Sequence, residues 1–444
     1  RGGRPGGASS RARARLPARA GAERMPTKAE QRPLLARGTD LAQTSLNMIN
    51  CFVGAGILTV PFAFRLAGHG ALVGLALVAA LNWFTSLLLG RALDGAAKLR
   101  PDVPIAHWDF GQLGLVAFGP TVQWIISGLF ALELWFAMET FLVLTGINVS
   151  IVTGASRTYV IMWAGLVGMV SLSLPMRVIA GFSFLSVCCM GGGLVALMVC
   201  GIHNTAHVEH KIIDPGNMVS SAGIFLYCFS GLPCLPNIRG GMQKPREEYR
   251  GAVHVAFIFT SVYYATVGIL GYHYYGNATR ESFTENLMPH TGPSISSAAM
   301  TLHGSFALLS AGLFAVKLQA GFPLYAAPVL NALGVGGSDD WECFAGLWLA
   351  RLAFIGVSVA FAVLAQGALD SVAELMGAFL TNFTSIIFPC AAYLAVSRAG
   401  GDTLGLVRTA GLLLIIALGL VFAAVGSCSA WARFWQEARN TVFF

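Results

Sequence analysis

Over most of its length the chain shows neither the strict alternation of a half-buried strand nor the one-sided apolar stripe of a surface helix. Long apolar runs follow one another, separated by short polar stretches. A bilayer core of about 30 Å takes roughly 20 helical residues per crossing. On that ruler eleven candidate spans run over 43–67, 71–93, 121–148, 158–175, 178–202, 219–238, 252–275, 298–331, 342–366, 371–396 and 406–430. Lipid offers no hydrogen bonds, so an open chain crosses it as helix, and runs this long exclude the strands of a barrel. The pattern predicts an all-α polytopic membrane protein with about eleven transmembrane helices.

Two spans interrupt their own helices. Span 1 contains "NMINCFVGAGILTVPFAF", with Gly54 and Gly56 at mid-run and Pro61 downstream; span 6 contains "FSGLPCLPNIRGGM", with Gly231, Pro233 and Pro236. Glycine and proline are common in membrane helices, and one such span reads equally well as a packing notch. Two of them, five spans apart, point to an inverted-repeat transporter with its substrate at the bilayer midplane. An opened helix exposes N–H and C=O groups that lipid cannot satisfy, at several kcal/mol each. A ligand, an ion or water must then meet them. The half-helix starting near Gly56 offers N–H groups and a positive dipole end to a carboxylate. Carbonyls freed near Cys51 to Gly54 and Cys228 to Gly231 suit an ammonium. Together these polarities describe an amino-acid zwitterion. Gly54, Ala55 and Gly56 are the expected carboxylate site, and Phe229, Ser230 and Gly231 are expected to meet the ammonium or line the side-chain pocket.

The segments "NCFVGAGILTVPFAF", "FLYCFSGLPCLPNIRGGMQKPREEY", "YGNATRESFTENL" and "FPLYAAPV" resemble the amino acid/auxin permease family, especially its vesicular inhibitory and vacuolar amino acid transporter branch. The resemblance covers Ala42 to Gly426 and implies eleven spans, a five-plus-five inverted repeat like that of the bacterial leucine transporter, and amino-acid transport. In sodium-coupled members a span 1 asparagine and a span 8 hydroxyl help hold the ion. Asn50 matches the asparagine, whereas Val316 stands at the hydroxyl position and Lys317 resembles the lysine of the vesicular branch. A fixed ammonium in place of sodium argues for proton coupling. Glu133, in "ALELW", matches a span 3 glutamate of that branch and is the first candidate for the titrating group, with Glu139 the alternative. Lys317 lies too deep in span 8 to snorkel, so a structural ion pair with Glu133 or Glu139 is the competing reading.

Composition agrees with a membrane protein: 55% of the 444 residues are apolar and 11% charged, with a mean hydropathy of +0.67. The net charge of +7 is no invitation to nucleic acid. Residues 1–40 hold ten Lys and Arg against Glu23, Glu30 and Asp40, leaving 18 against 18 in the rest. Residues 1–40 read as a disordered basic cytosolic tail, with Met25 a possible start; 41–431 form the transporter domain and 432–444 a short tail. Lysine and arginine bias places the N-terminus in the cytosol. That puts the sequons at Asn148 and Asn277 on the opposite side as glycosylation candidates. Glu30, Leu34 and Leu35, in "EQRPLL", are spaced like the acidic dileucine signal that clathrin adaptors read, which favours a vacuolar, lysosomal or vesicular membrane over the plasma membrane. The nine cysteines show no metal or redox spacing, and neither metal nor cofactor is expected. The residues read as a transporter rather than an enzyme: proton-coupled, favoured as antiport into an acidic lumen. Proton symport outward, sodium coupling and an amino-acid sensor are the alternatives.

Overall fold

The structure is a computed structural model describing Gly2 and residues 38–442, apart from 106–107, 173–175, 203–207, 289–296 and 333–340. The chain divides into residues 1–38 and 39–444, and every helix below belongs to the second unit. Glu30, Leu34 and Leu35 lie outside the described residues.

Each expected span has its helix. Span 1 is Leu41–Phe52, a short 3-10 turn Ala55–Leu58, and Val60–Ala67; span 2 is Ala71–Leu99. Spans 3, 4 and 5 are Pro120–Thr153, Arg157–Ser171 and Met176–Ile202. Span 6 is Met218–Cys228, a turn Leu232–Cys234, and Leu235–Gly240; span 7 is Tyr249–Tyr275. Spans 8 and 9 are Ser297–Ala332 and Trp341–Ala365; span 10 covers Leu369–Ala399 in successive segments, and span 11 is Leu406–Val442. By length and composition alone, nine stretches among the described residues qualify as membrane-crossing. The number is smaller because Val60–Leu99 is one stretch in that reckoning and Arg157–Ser171 has only 15 residues.

Local chemistry sets the ends. Asp40 caps span 1, its carboxylate accepting from Gln43 N at 2.8 Å while the Gln43 side chain reaches back, which satisfies two donors that a helix start leaves open. Span 3 ends on Gly154 at φ +71°, a left-handed turn that a side chain would strain.

The solvent-side logic of a soluble protein is inverted. Exposed faces of spans 4, 9 and 11 carry Trp163, Val170, Leu349, Leu364, Val407 and Leu414, whereas spans 6 and 10 are the most enclosed. Span 8 packs along spans 3 and 5, while spans 1, 2 and 7 pack together and spans 1 and 2 also meet span 6.

Two elements differ from expectation. A short helix, Phe110–Phe118, lies between spans 2 and 3, capped by Asp109 and stacking Phe110 on Phe130 of span 3. At nine residues it is too short to register as a span. The last helix runs on through residues 432–442, expected as a tail; Trp431 and Trp435 stack edge to face along it.

Candidate functional site

Both interruptions are present. In span 1 the first half-helix ends at Phe52; Gly54 N–H turns back to the Phe52 carbonyl at 2.9 Å, and the chain restarts as Ala55–Leu58. Gly54 has no side chain to cap that turn, so the N–H groups of Ala55 and Gly56 lead it. In span 6 the first half-helix ends at Cys228. Phe229 and Ser230 close tightened turns onto Leu226 and Tyr227 at 3.0 Å, and Leu232–Cys234 restarts the chain with Pro233 in its first turn.

The interruptions interlock. A Cβ on Gly56 would lie 2.8 Å from the Cys228 Cα, and one on Gly231 would lie 2.8 Å from the Cys51 carbonyl oxygen. The thiol of Cys51 donates to the Gly231 carbonyl at 3.4 Å, and that of Cys228 to the Gly56 carbonyl at 3.5 Å. This reciprocity is the signature of two inverted halves meeting at their opened helices. It also assigns the missing side chains of Gly56 and Gly231 to contact between spans. Gly54 differs: a Cβ there would sit at ordinary distances, 3.6 Å from the Tyr325 hydroxyl and 3.8 Å from the Phe141 ring.

Carbonyls opened in span 1 are already met by the protein, not left for a ligand as expected. Tyr325 of span 8 donates to Cys51 O at 3.1 Å, Tyr264 of span 7 to Phe52 O at 2.7 Å, and the Lys317 ammonium to Val53 O. The Tyr264 hydroxyl also lies 2.9 Å from Cys228 O, so its single proton is shared between the two interruptions. Phe229 is fully buried, stacked on Phe257 and edge-on to Tyr264. Asn50 is half-buried one turn before the gap, and Ser230 is buried inside the second.

Lys317 is 5% exposed and has no carboxylate within 4.0 Å among the described residues. The ion-pair reading with Glu133 or Glu139 is therefore corrected: the ammonium sits at the carbonyl end of the half-helix Leu41–Phe52, where the peptide dipole is negative. Neighbouring Val316 is 46% exposed. Glu133 is fully buried and accepts from Thr381 and Thr384 of span 10 at 2.9 and 2.7 Å. Span 10 is π-helical there, a widened turn frequent at functional positions. At Gly377 its backbone lies so close to span 6 that a Cβ would collide with Gly223 O. Glu139 is also buried but faces Ser358 of span 9, so the two glutamates occupy separate pockets.

Of the sequon residues, Asn277 lies half-buried in the turn after span 7. Asn148 is wholly buried, its amide donating to Leu144 O at 2.7 Å. That corrects its candidacy, because the folded protein does not present it. Glu374 pairs with Arg433 at 2.9 Å near the ends of spans 10 and 11. Sequence reasoning missed Tyr264, Tyr325, Phe141, Thr381 and Thr384. Single aromatic or hydroxyl residues inside apolar runs carry no local signal.

A helical bundle crossing the bilayer several times, opened at corresponding points of spans 1 and 6 with a buried cation on the opened backbone, defines the class: a multi-pass inverted-repeat membrane transporter. Residues 37–431 match the family described as transmembrane amino acid transporter protein, and the chain belongs to it. It is 26% identical over 414 residues to amino acid transporter AVT1D of Arabidopsis thaliana, covering 88% of this chain and 70% of that protein. To AVT1J of the same plant it is 26% identical over 415 residues, covering 88% and 90%. To AVT3B it is 23% identical over 443 residues, covering 94% and 100%. In fold it is similar to the crystal structure of the Eremococcus coleocola manganese transporter in complex with an aromatic bis-isothiourea substituted compound. The TM-score is 0.56 over 94% of this chain and 92% of that one, at 12% identity, a likeness of architecture alone. The protein is thus an amino acid transporter and not an enzyme.

Proposed function

We propose that the chain is a proton-coupled secondary transporter that moves amino acids into the lumen of an acidic organelle, a vacuole, lysosome or vesicle, in exchange for protons. The observation that carries the reading is Lys317 on the Val53 carbonyl. A fixed ammonium occupies the negative end of the opened half-helix, the place a coupling sodium would otherwise neutralise, and so supports proton rather than sodium coupling. Asn50 shapes the same end one turn away.

The substrate carboxylate binds the N–H groups of Ala55 and Gly56 and lies against Gly54, whose own N–H is turned onto the Phe52 carbonyl, with Phe141 and Tyr325 closing the space beside Gly54. Because the Cys51, Phe52 and Val53 carbonyls are engaged, the substrate ammonium turns to span 6, at Phe229, Ser230 and Gly231. Glu133 carries the exchanged proton: its contacts join span 3 to span 10 through two hydroxyls, and they must re-form whenever its charge changes. Spans 1 and 6 rock with their neighbours against spans 3 and 8. Glu30, Leu34 and Leu35 act as the adaptor signal, and Asn277 is the sequon open to modification.

The test is uptake of a panel of labelled amino acids into proteoliposomes with an imposed pH gradient, with and without sodium. Uptake driven by the gradient alone is expected; a sodium requirement with indifference to pH refutes the coupling, and binding without flux identifies a sensor. Lys317→Ala and Gly56→Leu should lose transport. Glu133→Gln should lose gradient-driven accumulation while amino-acid exchange persists.

A further inference from the structure

Among the described residues, three of the surface grooves between helices bear comparison. One, between spans 3, 9, 10 and 11, is lined by Leu132, Phe136, Phe361, Phe379 and other residues without a charge. A second, between spans 2, 6, 10 and 11, is likewise uncharged, Asn382 being its polar member. The third, between spans 2 and 11, has a volume of about 260 Å³ and is lined by Phe84, Leu88, Arg91, Arg408, Gly411, Leu412 and Ile415. It alone of these three brings two guanidinium groups to an apolar wall.

Position along the helices places both arginines at one membrane boundary. Arg91 follows Ala71, the start of span 2, by twenty residues, or about 30 Å of helix, one hydrocarbon thickness. Arg408 is the third residue of span 11. Both side chains are exposed, and neither has a carboxylate within 4.0 Å among the described residues. The nearest acid in sequence, Asp94, is engaged by Arg239 and Arg246. The rim is therefore uncompensated positive charge. The floor is not: Leu88 and Leu412 are each 2% exposed and belong to a small apolar cluster with Cys390 and Leu394. A Cβ on Gly411 would meet nothing within 4 Å, which leaves that stretch of wall open.

An apolar channel in the hydrocarbon zone topped by two forked cations matches one ligand chemistry, an amphiphile with an anionic phosphate head. We propose that this groove binds an anionic glycerophospholipid, its phosphate held by Arg91 and Arg408 and one acyl chain laid along Phe84, Leu88, Leu412 and Ile415. Span 10 packs against both span 2 and span 11. A lipid seated between spans 2 and 11 fills the seam beside the helix they share. The inference stands apart from the substrate and its coupling ion, because its readout is binding.

The experiment is native mass spectrometry of the full chain released from micelles containing phosphatidylglycerol or phosphatidylcholine, with inorganic phosphate as competitor. Retention of phosphatidylglycerol over phosphatidylcholine is expected, with a drop of about fivefold for Arg91→Gln and again for Arg408→Gln. Arg100→Gln should change nothing, since Arg100 lies outside the groove and pairs with Asp102 at 2.9 Å. Gly411→Leu, which fills the wall and leaves both charges, should also lose the lipid. Equal retention by the double arginine variant, or equal retention of the neutral lipid, overturns the proposal. Full displacement by inorganic phosphate overturns the lipid in favour of a free anion.

Discussion

The interruptions of spans 1 and 6 look alike in sequence and differ in what answers them. At span 1 three successive carbonyls are taken by side chains from spans 7 and 8, one of them a cation. At span 6 the Cys228 carbonyl shares the Tyr264 proton, and the Gly231 carbonyl has a thiol and the Cys234 N–H. On the other side of the gap, span 1 restarts with the N–H groups of Ala55 and Gly56. Span 6 restarts into Pro233, which has none. Span 1 therefore carries the electrical polarity of the site, and span 6 supplies the close fit that holds the two together. A broken helix is not by itself a binding site; what distinguishes the two is the charge of the group placed on the opened backbone.

The sharpest way to break this picture is at the contact both gaps share. Gly56→Ala and Gly231→Ala each push a methyl to 2.8 Å from backbone of the opposite span, and both should destabilise by about 3 kcal/mol or more. Thermal unfolding of the purified protein reads this, and a tolerant Gly231 would end the claim of reciprocity. Next, Lys317→Met leaves the Val53 carbonyl buried and unmet, at about 2–3 kcal/mol. A variant as stable as wild type would erase the difference between the gaps. Tyr264→Phe withdraws one proton from both gaps and should cost about 1–2 kcal/mol; its effect should shrink once Lys317 is already replaced, if the two act on one stretch of backbone, and a double-mutant cycle measures that coupling. Smallest of all, Cys51→Ala removes a weak thiol contact at the reciprocal joint and should cost about 1 kcal/mol or less.

The spans and both gaps were legible because they depend on local composition: run length against bilayer thickness, and glycine or proline inside a run. Lys317 was legible as a buried charge, but its partner was not. A carboxylate was the natural expectation, and the actual acceptor is a carbonyl exposed by a break 264 residues earlier. Tyr264 and Tyr325 were invisible for the same reason, since nothing in "SVYYATV" or "FPLYAAPV" says which tyrosine meets an opened helix. Glu133 could be singled out as an acid in lipid, whereas Thr381 and Thr384 are ordinary hydroxyls until span 10 widens to bring them to it. Asn148 misled because a sequon is a three-residue pattern and burial is a property of the packed bundle.

The distance between Val53 and Lys317 has a consequence for how the chain is made. At about 5–20 residues per second, the ribosome takes roughly 13–50 s to travel those 264 residues. For that interval span 1 has an opened backbone whose charged partner has not yet been synthesised. The Val53 carbonyl is therefore made well before the ammonium that meets it, and the opened helix reaches its final contacts only once span 8 has arrived.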